Sequence, residues 1–155
     1  MIEKSELIDS RDVISELESM ESDRETLVDA VEGAEEDLEA AKDAGEDTQA
    51  EEEALEEARL ELEAWDEENG EDLEVLKALN EEGEGATSEW IHGETLIHED
   101  YFPEYAEELC KDIGDIPRES PWYIADHIDW EGVADELKVD YTEIDFDGDT
   151  YLIRV

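Results

Sequence analysis

The chain has 155 residues, of which 54 are Asp or Glu and only 10 are Lys or Arg, so its formal net charge is −44. Binding to nucleic acid or to anionic lipid requires Lys and Arg, and this charge therefore excludes both surfaces as direct partners. The sequence has no apolar stretch long enough to span a bilayer and no signal-peptide pattern at its start. It also has a single cysteine, Cys110, which excludes an internal disulfide framework. We therefore expect a cytoplasmic protein.

Acidic and aromatic residues are unevenly distributed, which predicts two domains. Residues 1–85 hold 34 acids and 6 bases, whereas residues 86–155 hold 20 acids and 4 bases. All five Tyr, all three Pro, all three His and three of the four Trp lie in the second part. We predict an acidic helical hairpin over residues 1–85 and a small α+β domain over residues 86–155, joined by a flexible acidic run at 81–85.

Apolar residues in the first part recur at the spacing of a coiled coil. Nine positions from Val13 to Ala41 follow one another at alternating intervals of four and three residues, and eight of them are apolar. The exception is Arg24. This heptad pattern predicts a coiled-coil helix over residues 10–44, with Gly45 suited to its C-terminal end.

The heptad spacing resumes at Leu55 and predicts a second helix over residues 47–82. Asn69-Gly70 interrupts the pattern and leaves open whether this helix is continuous there. Two helices of matched length joined by a short loop favour an antiparallel hairpin within one chain. The alternative is that each helix pairs with a helix of a second chain.

Carboxylates dominate the outward positions of this hairpin, and few bases are available to pair with them. Because like charges repel one another, a chain that keeps them has a use for them or lives in a medium that screens them. A net charge of −28 on a rod of about 52 Å gives one charge per ~1.9 Å, close to the one per about 1.7 Å of duplex DNA. We predict that fourteen of these carboxylates mimic DNA phosphates and bind the basic groove of a partner protein. They are Glu35, Glu36, Asp37, Glu39, Asp43, Glu46, Asp47, Glu51, Glu52, Glu53, Glu56, Glu57, Glu61 and Glu63.

Two short helices are predicted in the second part. The first has Asp100 as its cap and Pro103 in its first turn, and it ends at Gly114. The second is capped by Asp129 and carries its apolar residues on one face as far as Leu137. Together with the strands that follow, these helices predict a small α+β fold.

A β-hairpin is predicted at the end of the chain. Residues 141–146 and 150–155 are rich in β-branched and aromatic side chains, and they flank Asp147-Gly148, a dipeptide typical of a type I′ turn. Three aspartates alternate around this turn as in an EF-hand loop, but the Gly at position 6 and the Glu at position 12 of such a loop are missing. The pattern therefore predicts a turn and no calcium site.

No motif in the sequence indicates catalysis. There is no Gly-rich phosphate loop, no Ser-centred elbow and no Cys-x-x-Cys pair. Cys110 with His127 would be a nucleophile and base, but Cys110 lies on an apolar helix stripe, which favours a buried structural thiol. His92 and His98, near several carboxylates, offer ligands for a divalent ion, but their spacing matches no helical i,i+4 pair, which disfavours a metal site. We predict a protein that is not an enzyme and that needs no metal ion or cofactor.

Four segments of the second part resemble the ArdA-like antirestriction proteins of phages and plasmids. They are Tyr101–Leu109 (YFPEYAEEL), Ile128–Leu137 (IDWEGVADEL), Asp140–Phe146 (DYTEIDF) and Tyr151–Arg154 (YLIR). That family tends to show an aromatic-rich helix of this kind and a closing strand with Y/F-x-x-R. The resemblance covers about 65 residues and implies a DNA mimic without catalytic residues that sequesters a host defence nuclease, commonly as a homodimer. The acidic hairpin stands where that family has a longer globular body.

The sequence therefore predicts an α+β protein with a long N-terminal antiparallel coiled-coil hairpin and a small C-terminal α+β domain. Its predicted function is to inhibit a DNA-binding host enzyme of restriction, CRISPR defence, recombination or repair by occupying the basic groove. Two alternatives stay open. One is an acidic coiled-coil scaffolding protein, and the other is adaptation of the whole surface to high salt.

Overall fold

The structure is a computed structural model that describes residue 2 and residues 4–155, with the backbone alone described at Trp122. Its elements are β1 (Leu7–Asp9), α1 (Ser10–Ala44), α2 (Gln49–Ala86), α3 (Trp90–Gly93), β2 (Thr95–His98), α4 (Phe102–Ile113), α5 (Trp122–Ala125), α6 (Trp130–Leu137), β3 (Tyr141–Phe146) and β4 (Asp149–Arg154). The fold is α+β and mostly helical, with two long helices in a hairpin-like arrangement and a four-stranded antiparallel sheet.

The chain forms two compact units. The helical unit contains residues 15–77, and the sheet unit contains residues 2–14 together with residues 78–155. The boundary predicted after residue 85 lies within α2. None of the helices in the described part of the chain is both long and apolar enough to cross a membrane.

The first long helix has the predicted bounds, Ser10–Ala44. It ends in a Schellman motif, in which the N–H of Gly45 donates to the carbonyl of Lys42 and the N–H of Glu46 donates to the carbonyl of Ala41, both at 3.1 Å. Gly45 has a φ of 70°, a left-handed conformation that glycine adopts without a steric penalty.

The second long helix is continuous through residues 69–70 and ends at Ala86. The prediction of a flexible run at 81–85 is therefore wrong, because this run is the last turn of α2. Packing explains the difference: Gly83 is buried, and a Cβ atom added there would lie 2.4 Å from the ring of Trp90. Close approach to a buried indole fixes this glycine in the helix despite its weak helix propensity.

The apolar residues of the helical unit follow the predicted heptad positions. The buried ones are Leu17, Met20, Leu38, Ala41, Leu55, Leu73 and Leu76. We call the row of heptad positions along the two helices the seam. Its middle is only half-buried, at Leu27, Val31, Ala34, Ala58, Leu62 and Trp65. Water is therefore excluded best from the two ends of the seam and less from its middle.

The sheet has the strand order β1-β2-β4-β3, and every neighbouring pair is antiparallel. Ile97 of β2 lies opposite Leu152 of β4, so both point to the same face. Phe102 and Ala106 of α4 and Ala134 of α6 pack with them in a buried cluster. This cluster is the core between the sheet and its two short helices.

A buried serine connects the start of α1 with the segment that precedes β2. The Ser10 hydroxyl donates to the carbonyl of Trp90 at 2.6 Å and accepts from the N–H of Glu94 at 2.8 Å. The indole N–H of Trp90 donates to Asn80 of α2 at 2.8 Å. These bonds satisfy polar groups that would be costly to bury without partners.

Three local predictions for the second part are confirmed. The carboxylate of Asp129 accepts from the N–H of Gly132 at 3.1 Å and caps α6. Gly114 ends α4 with a φ of 87°. Asp147 and Gly148 have φ values of 51° and 82°, as a type I′ turn requires, and they join β3 to β4.

Asp100 does not cap the aromatic-rich helix. Residues 99–101 form a 3-10 turn instead, and the N–H of Asp100 donates to Nδ1 of His98 at 3.2 Å. The α-helix begins at Phe102 with Pro103 in its first turn. The 3-10 turn takes up the residues that the capping prediction assigned to the helix start.

Candidate functional site

The fourteen predicted carboxylates all lie in the helical unit, on the last turns of α1, in the connection and on the first turns of α2. Thirteen of them are exposed. Residues 15–77 contain 27 acids and 4 bases, for a net charge of −23. The candidate site is therefore a solvent-facing surface with a large excess of negative charge.

Neutralisation of this surface by the chain's own bases is slight. Among the described residues, Glu35 is the one member of the fourteen with an ion pair, to Arg59 at 2.6 Å. The other paired bases of the helical unit, Arg24 and Lys77, hold carboxylates outside the fourteen. The negative charge of the surface is thus left available for a partner.

Two uncharged donors orient carboxylates at the start of α2. The Thr48 hydroxyl donates to Oε1 of Glu52, and the Gln49 amide donates to Oε1 of Glu53, both at 3.0 Å. A neutral donor fixes the direction of a carboxylate without removing its charge. The acidic residues in this first turn also interact favourably with the N-terminal end of the helix dipole.

Glu51 is the exception to the outward-facing set. It is half-buried, and its Oε2 atom is shielded from solvent and has no hydrogen-bond partner among the described residues. It shares a depression with Asp37 and with three alanines at the end of α1. Glu51 therefore points between the helices, where a partner's base would reach it less easily.

An exposed leucine on the outer face of α2 was missed by the sequence reasoning. Leu60 is 55% exposed and lies outside the heptad positions, so the apolar spacing gave no signal for it. Five other α2 residues line the same shallow depression, and they are Glu53, Glu56, Glu57, Glu61 and Ala64. An apolar side chain therefore sits within the acidic surface.

In the sheet unit, Lys4 contacts the turn that joins β3 to β4. Nζ of Lys4 lies 2.8 Å from a carboxylate oxygen of Asp147 and 2.9 Å from one of Asp149, and it donates to the Asp147 carbonyl at 2.7 Å. The bonds to Asp147 and Asp149 raise the pKa of Lys4, and the bond from Lys4 lowers the pKa of Asp149. Two of the three alternating aspartates, Asp147 and Asp149, therefore form ion pairs with an ammonium group of the same chain.

Nucleophilic and metal chemistry have little structural support in the described part of the chain. Cys110 is a free thiol. The sequence predicted that it is buried, but it is only half-buried. His127 is exposed. The described residues contain no group of three or more His, Cys, Asp or Glu side chains arranged to hold a metal ion.

No protein-family model, curated protein or solved structure matches this chain. The candidate site is therefore interpreted from its own geometry and charge.

Proposed function

We propose that this chain is a DNA-mimic inhibitor that occupies the basic DNA-binding groove of a host enzyme. The observation that carries the proposal is the exposure of thirteen of the fourteen carboxylates, with a single ion pair to a base of the same chain. A groove built for phosphates presents Arg and Lys, and these side chains bind carboxylates through the same charge-assisted hydrogen bonds.

The proposal includes an antiparallel coiled-coil hairpin as the scaffold of the acidic surface. Two ion pairs support it, since Arg24 on α1 pairs with Asp66 on α2 and Glu35 on α1 pairs with Arg59 on α2. The α2 number falls as the α1 number rises, which is the order of antiparallel neighbours. Burial at heptad positions supports the coiled-coil packing.

Charge density supports competition with DNA. The α1 part of the helical unit, residues 15–44, has a length of about 45 Å at ~1.5 Å per residue. A net charge of −23 over that length is one charge per ~2 Å, compared with one per about 1.7 Å in a duplex. Two adjacent helices, each ~10–12 Å wide, also approach the width of a duplex.

The resemblance of the second part to ArdA-like antirestriction proteins suggests the class of target. We propose a restriction, CRISPR, recombination or repair enzyme of the host, bound through its DNA site and released as salt screens the contacts. No residue of the inhibitor takes part in bond making or breaking. Inhibition follows from exclusion of DNA.

The direct test is competition for a DNA-binding enzyme that is already bound to a fluorescent duplex. A restriction complex, a CRISPR nuclease, a recombinase and a repair glycosylase are each titrated with the chain, and anisotropy reports displacement. One variant changes Glu52, Glu53, Glu56 and Glu57 to Gln. A matched control variant changes Glu119, Asp126, Glu131 and Glu136 of the sheet unit to the amides, and both have a net charge of −40 in place of −44.

We expect at least one enzyme to lose its duplex to the unmodified chain, and we expect the α2 variant to need at least about tenfold more protein than the control variant. A tenfold ratio equals about 1.4 kcal/mol, which is close to the contribution of one charge-assisted contact. Equal potency of the two variants would mean that net charge alone matters. Failure to displace DNA from any of the four enzyme classes would refute the proposal.

A scaffolding role is the second candidate, and Leu60 is the observation that favours it. Its 55% exposure on the outer face of α2 provides an apolar contact for another helix. Sedimentation velocity separates the two roles. A scaffold would form oligomers that depend on Leu60 and ignore added duplex DNA, whereas the inhibitor would leave its enzyme when duplex is added in excess.

A further inference from the structure

The sheet has one long edge without a neighbouring strand. β3, with six residues, pairs with β4 and with no other strand of the described chain. The opposite edge is β1, with three residues. An edge strand presents unpaired backbone groups that another extended segment can use, and the number of such bonds grows with its length. β3 is therefore the stronger of the two potential docking edges.

The register of the terminal hairpin identifies the backbone groups that point away from the sheet. The N–H of Val155 donates to the carbonyl of Asp140 at 3.1 Å, so this pair is a hydrogen-bonded one. Bonded and non-bonded pairs alternate along antiparallel strands. The residues bonded to β4 are therefore Thr142, Ile144 and Phe146. The residues that direct both N–H and C=O outward without a backbone partner are Glu143 and Asp145. Tyr141 also faces outward, but its N–H donates to the carbonyl of Lys138, so only its carbonyl is free.

The side chains beside these outward groups are acidic. Glu143 and Asp145 are exposed on the face that also carries Tyr141, and the alternate residues Ile144 and Phe146 are buried on the other face. Asp145 accepts a long hydrogen bond of 3.4 Å from Gly148, and Glu143 has no ion pair with a described residue. The edge therefore combines free backbone groups, two carboxylates and an apolar underside.

A second copy of the chain is a poor occupant of this edge. Two antiparallel registers of β3 with its own copy keep the apolar face inside with the greatest overlap. They place Glu143 opposite Glu143 or opposite Asp145 of the copy. Like charges in those positions destabilise a sheet. The two carboxylates thus disfavour self-association at this edge, as charged residues do on other edge strands.

We propose that β3 binds an extended segment of a partner protein in which Lys or Arg alternates with apolar residues. Its basic side chains would pair with Glu143 and Asp145, and its apolar side chains would lie on the opposite face of the added strand, the face of the sheet that carries Ile144 and Phe146. Its backbone would bond to the carbonyl of Tyr141 and to the outward N–H and C=O groups of Glu143 and Asp145. This surface uses no carboxylate of the helical unit, so the inference does not depend on the proposed inhibition of a DNA-binding enzyme.

The test uses a ten-residue peptide of alternating Lys and Val and the full chain labelled with ¹⁵N. Because the chain is strongly acidic, two control peptides are essential. One has the same composition with its lysines in a single block, and the other has N-methyl groups on the residues that would face β3. Amide hydrogen exchange is measured residue by residue at moderate salt, together with the dissociation constant.

We expect the alternating peptide to slow exchange at the amides of Glu143 and Asp145 by at least about tenfold, with little change at Tyr141, Thr142 and Ile144, whose amides are already bonded within the chain. The block and N-methylated peptides should leave the exchange rates unchanged. A Glu143→Lys, Asp145→Lys variant should bind the alternating peptide at least about tenfold more weakly than a Glu131→Lys, Glu136→Lys variant of equal net charge. The N-methylated peptide keeps the test decisive even if the β3 variant fails to fold. Equal binding of all three peptides, or unchanged exchange at the β3 amides, would overturn the proposal.

Discussion

The guanidinium of Arg24 donates two hydrogen bonds to the carboxylate of Asp66, from Nε to Oδ1 at 2.7 Å and from Nη2 to Oδ2 at 3.1 Å. Arg24 is the one residue that interrupts the apolar heptad spacing of α1. The pair explains the exception, because a half-buried arginine at such a position needs a partner. The contact is bidentate and has a defined geometry, so it also sets which residue of α2 lies beside Arg24 of α1.

We predict that Asp66→Asn lowers the melting temperature, since it leaves the Arg24 guanidinium without its charged partner. The double variant Arg24→Leu, Asp66→Leu should recover the loss or exceed the stability of the unmodified chain, because it removes both charges together and completes the apolar heptad spacing of α1. Thermal unfolding followed by circular dichroism at 222 nm measures both. A double variant that is less stable than Asp66→Asn would show that the ion pair itself supplies the stability.

Glu51 provides a second prediction within the helical unit. Its shielded Oε2 atom has no partner among the described residues, and it lies near Asp37. Glu51→Gln removes a desolvated charge and one repulsion, and we expect the melting temperature to rise by about 2–4 °C, equivalent to about 1 kcal/mol in a chain of this size. The exposed Glu56→Gln is the control and should change it by less. A larger rise for Glu56→Gln would contradict this account of Glu51.

Sequence reasoning succeeded where the signal is local. The bounds of α1, its glycine C-cap at Gly45 and the turn at Asp147-Gly148 each follow from a few neighbouring residues. β1 and β2 were missed because strands of three and four residues carry too little periodicity, and they pair across more than 80 residues of chain. The end of α2 was missed because Gly83 packs against Trp90, a contact that no local pattern reveals.

For the candidate site, composition and heptad position predicted most of what is observed. A residue outside the seam of a two-helix arrangement is exposed by geometry, and this holds for thirteen of the fourteen carboxylates. Glu51 is half-buried because it lies four residues before Leu55, at the preceding heptad position of α2, and is therefore inside the seam. Leu60 was missed because it lies outside the seam and yet is apolar.

Glycines in the long helices differ in their surroundings, which predicts opposite effects of alanine. A Cβ atom at Gly83 would approach the Trp90 ring to 2.4 Å, whereas one at Gly33 would meet nothing within 4 Å. Gly83→Ala should therefore destabilise the protein by about 1–3 kcal/mol through overpacking. Gly33→Ala should stabilise it by roughly 0.5–1 kcal/mol through helix propensity. Urea unfolding of both variants measures the difference, and a stabilising Gly83→Ala would show that the indole moves away freely.

The contact of Lys4 with the terminal turn predicts a pH effect. The bond from Lys4 holds the pKa of Asp149 below its ordinary value of 3.8. A lowered carboxyl pKa contributes stability that is present above the ordinary value and is lost as the pH falls through the folded-state value. Lys4→Met should therefore lower the melting temperature at pH 6, and the difference from the unmodified chain should shrink below pH 3.8.

An NMR titration of the Asp149 side chain gives the matching measurement for this contact. In the Lys4→Met variant the carboxyl pKa should move upward toward 3.8. A Lys138→Met variant, which removes a base at another part of the sheet unit, is the control and should leave the Asp149 titration in place. An unchanged Asp149 titration in Lys4→Met would contradict the proposed contact.

Salt provides the last prediction, because carboxylates outnumber bases in both units. The net charge is −23 over residues 15–77 and −21 over the remainder of the chain. Raising NaCl from 0.1 M to 1 M shortens the screening length from about 10 Å to about 3 Å and weakens repulsion between neighbouring carboxylates. We expect the melting temperature to rise over this range.

The variant with Gln at Glu52, Glu53, Glu56 and Glu57 should have a higher melting temperature at 0.1 M NaCl. Its melting temperature should rise less with added salt, since part of its repulsion is already removed. Sucrose, which is uncharged, should raise the melting temperature of both proteins by the same amount. A melting temperature that falls with NaCl would mean that the ion pairs of the chain outweigh its repulsions.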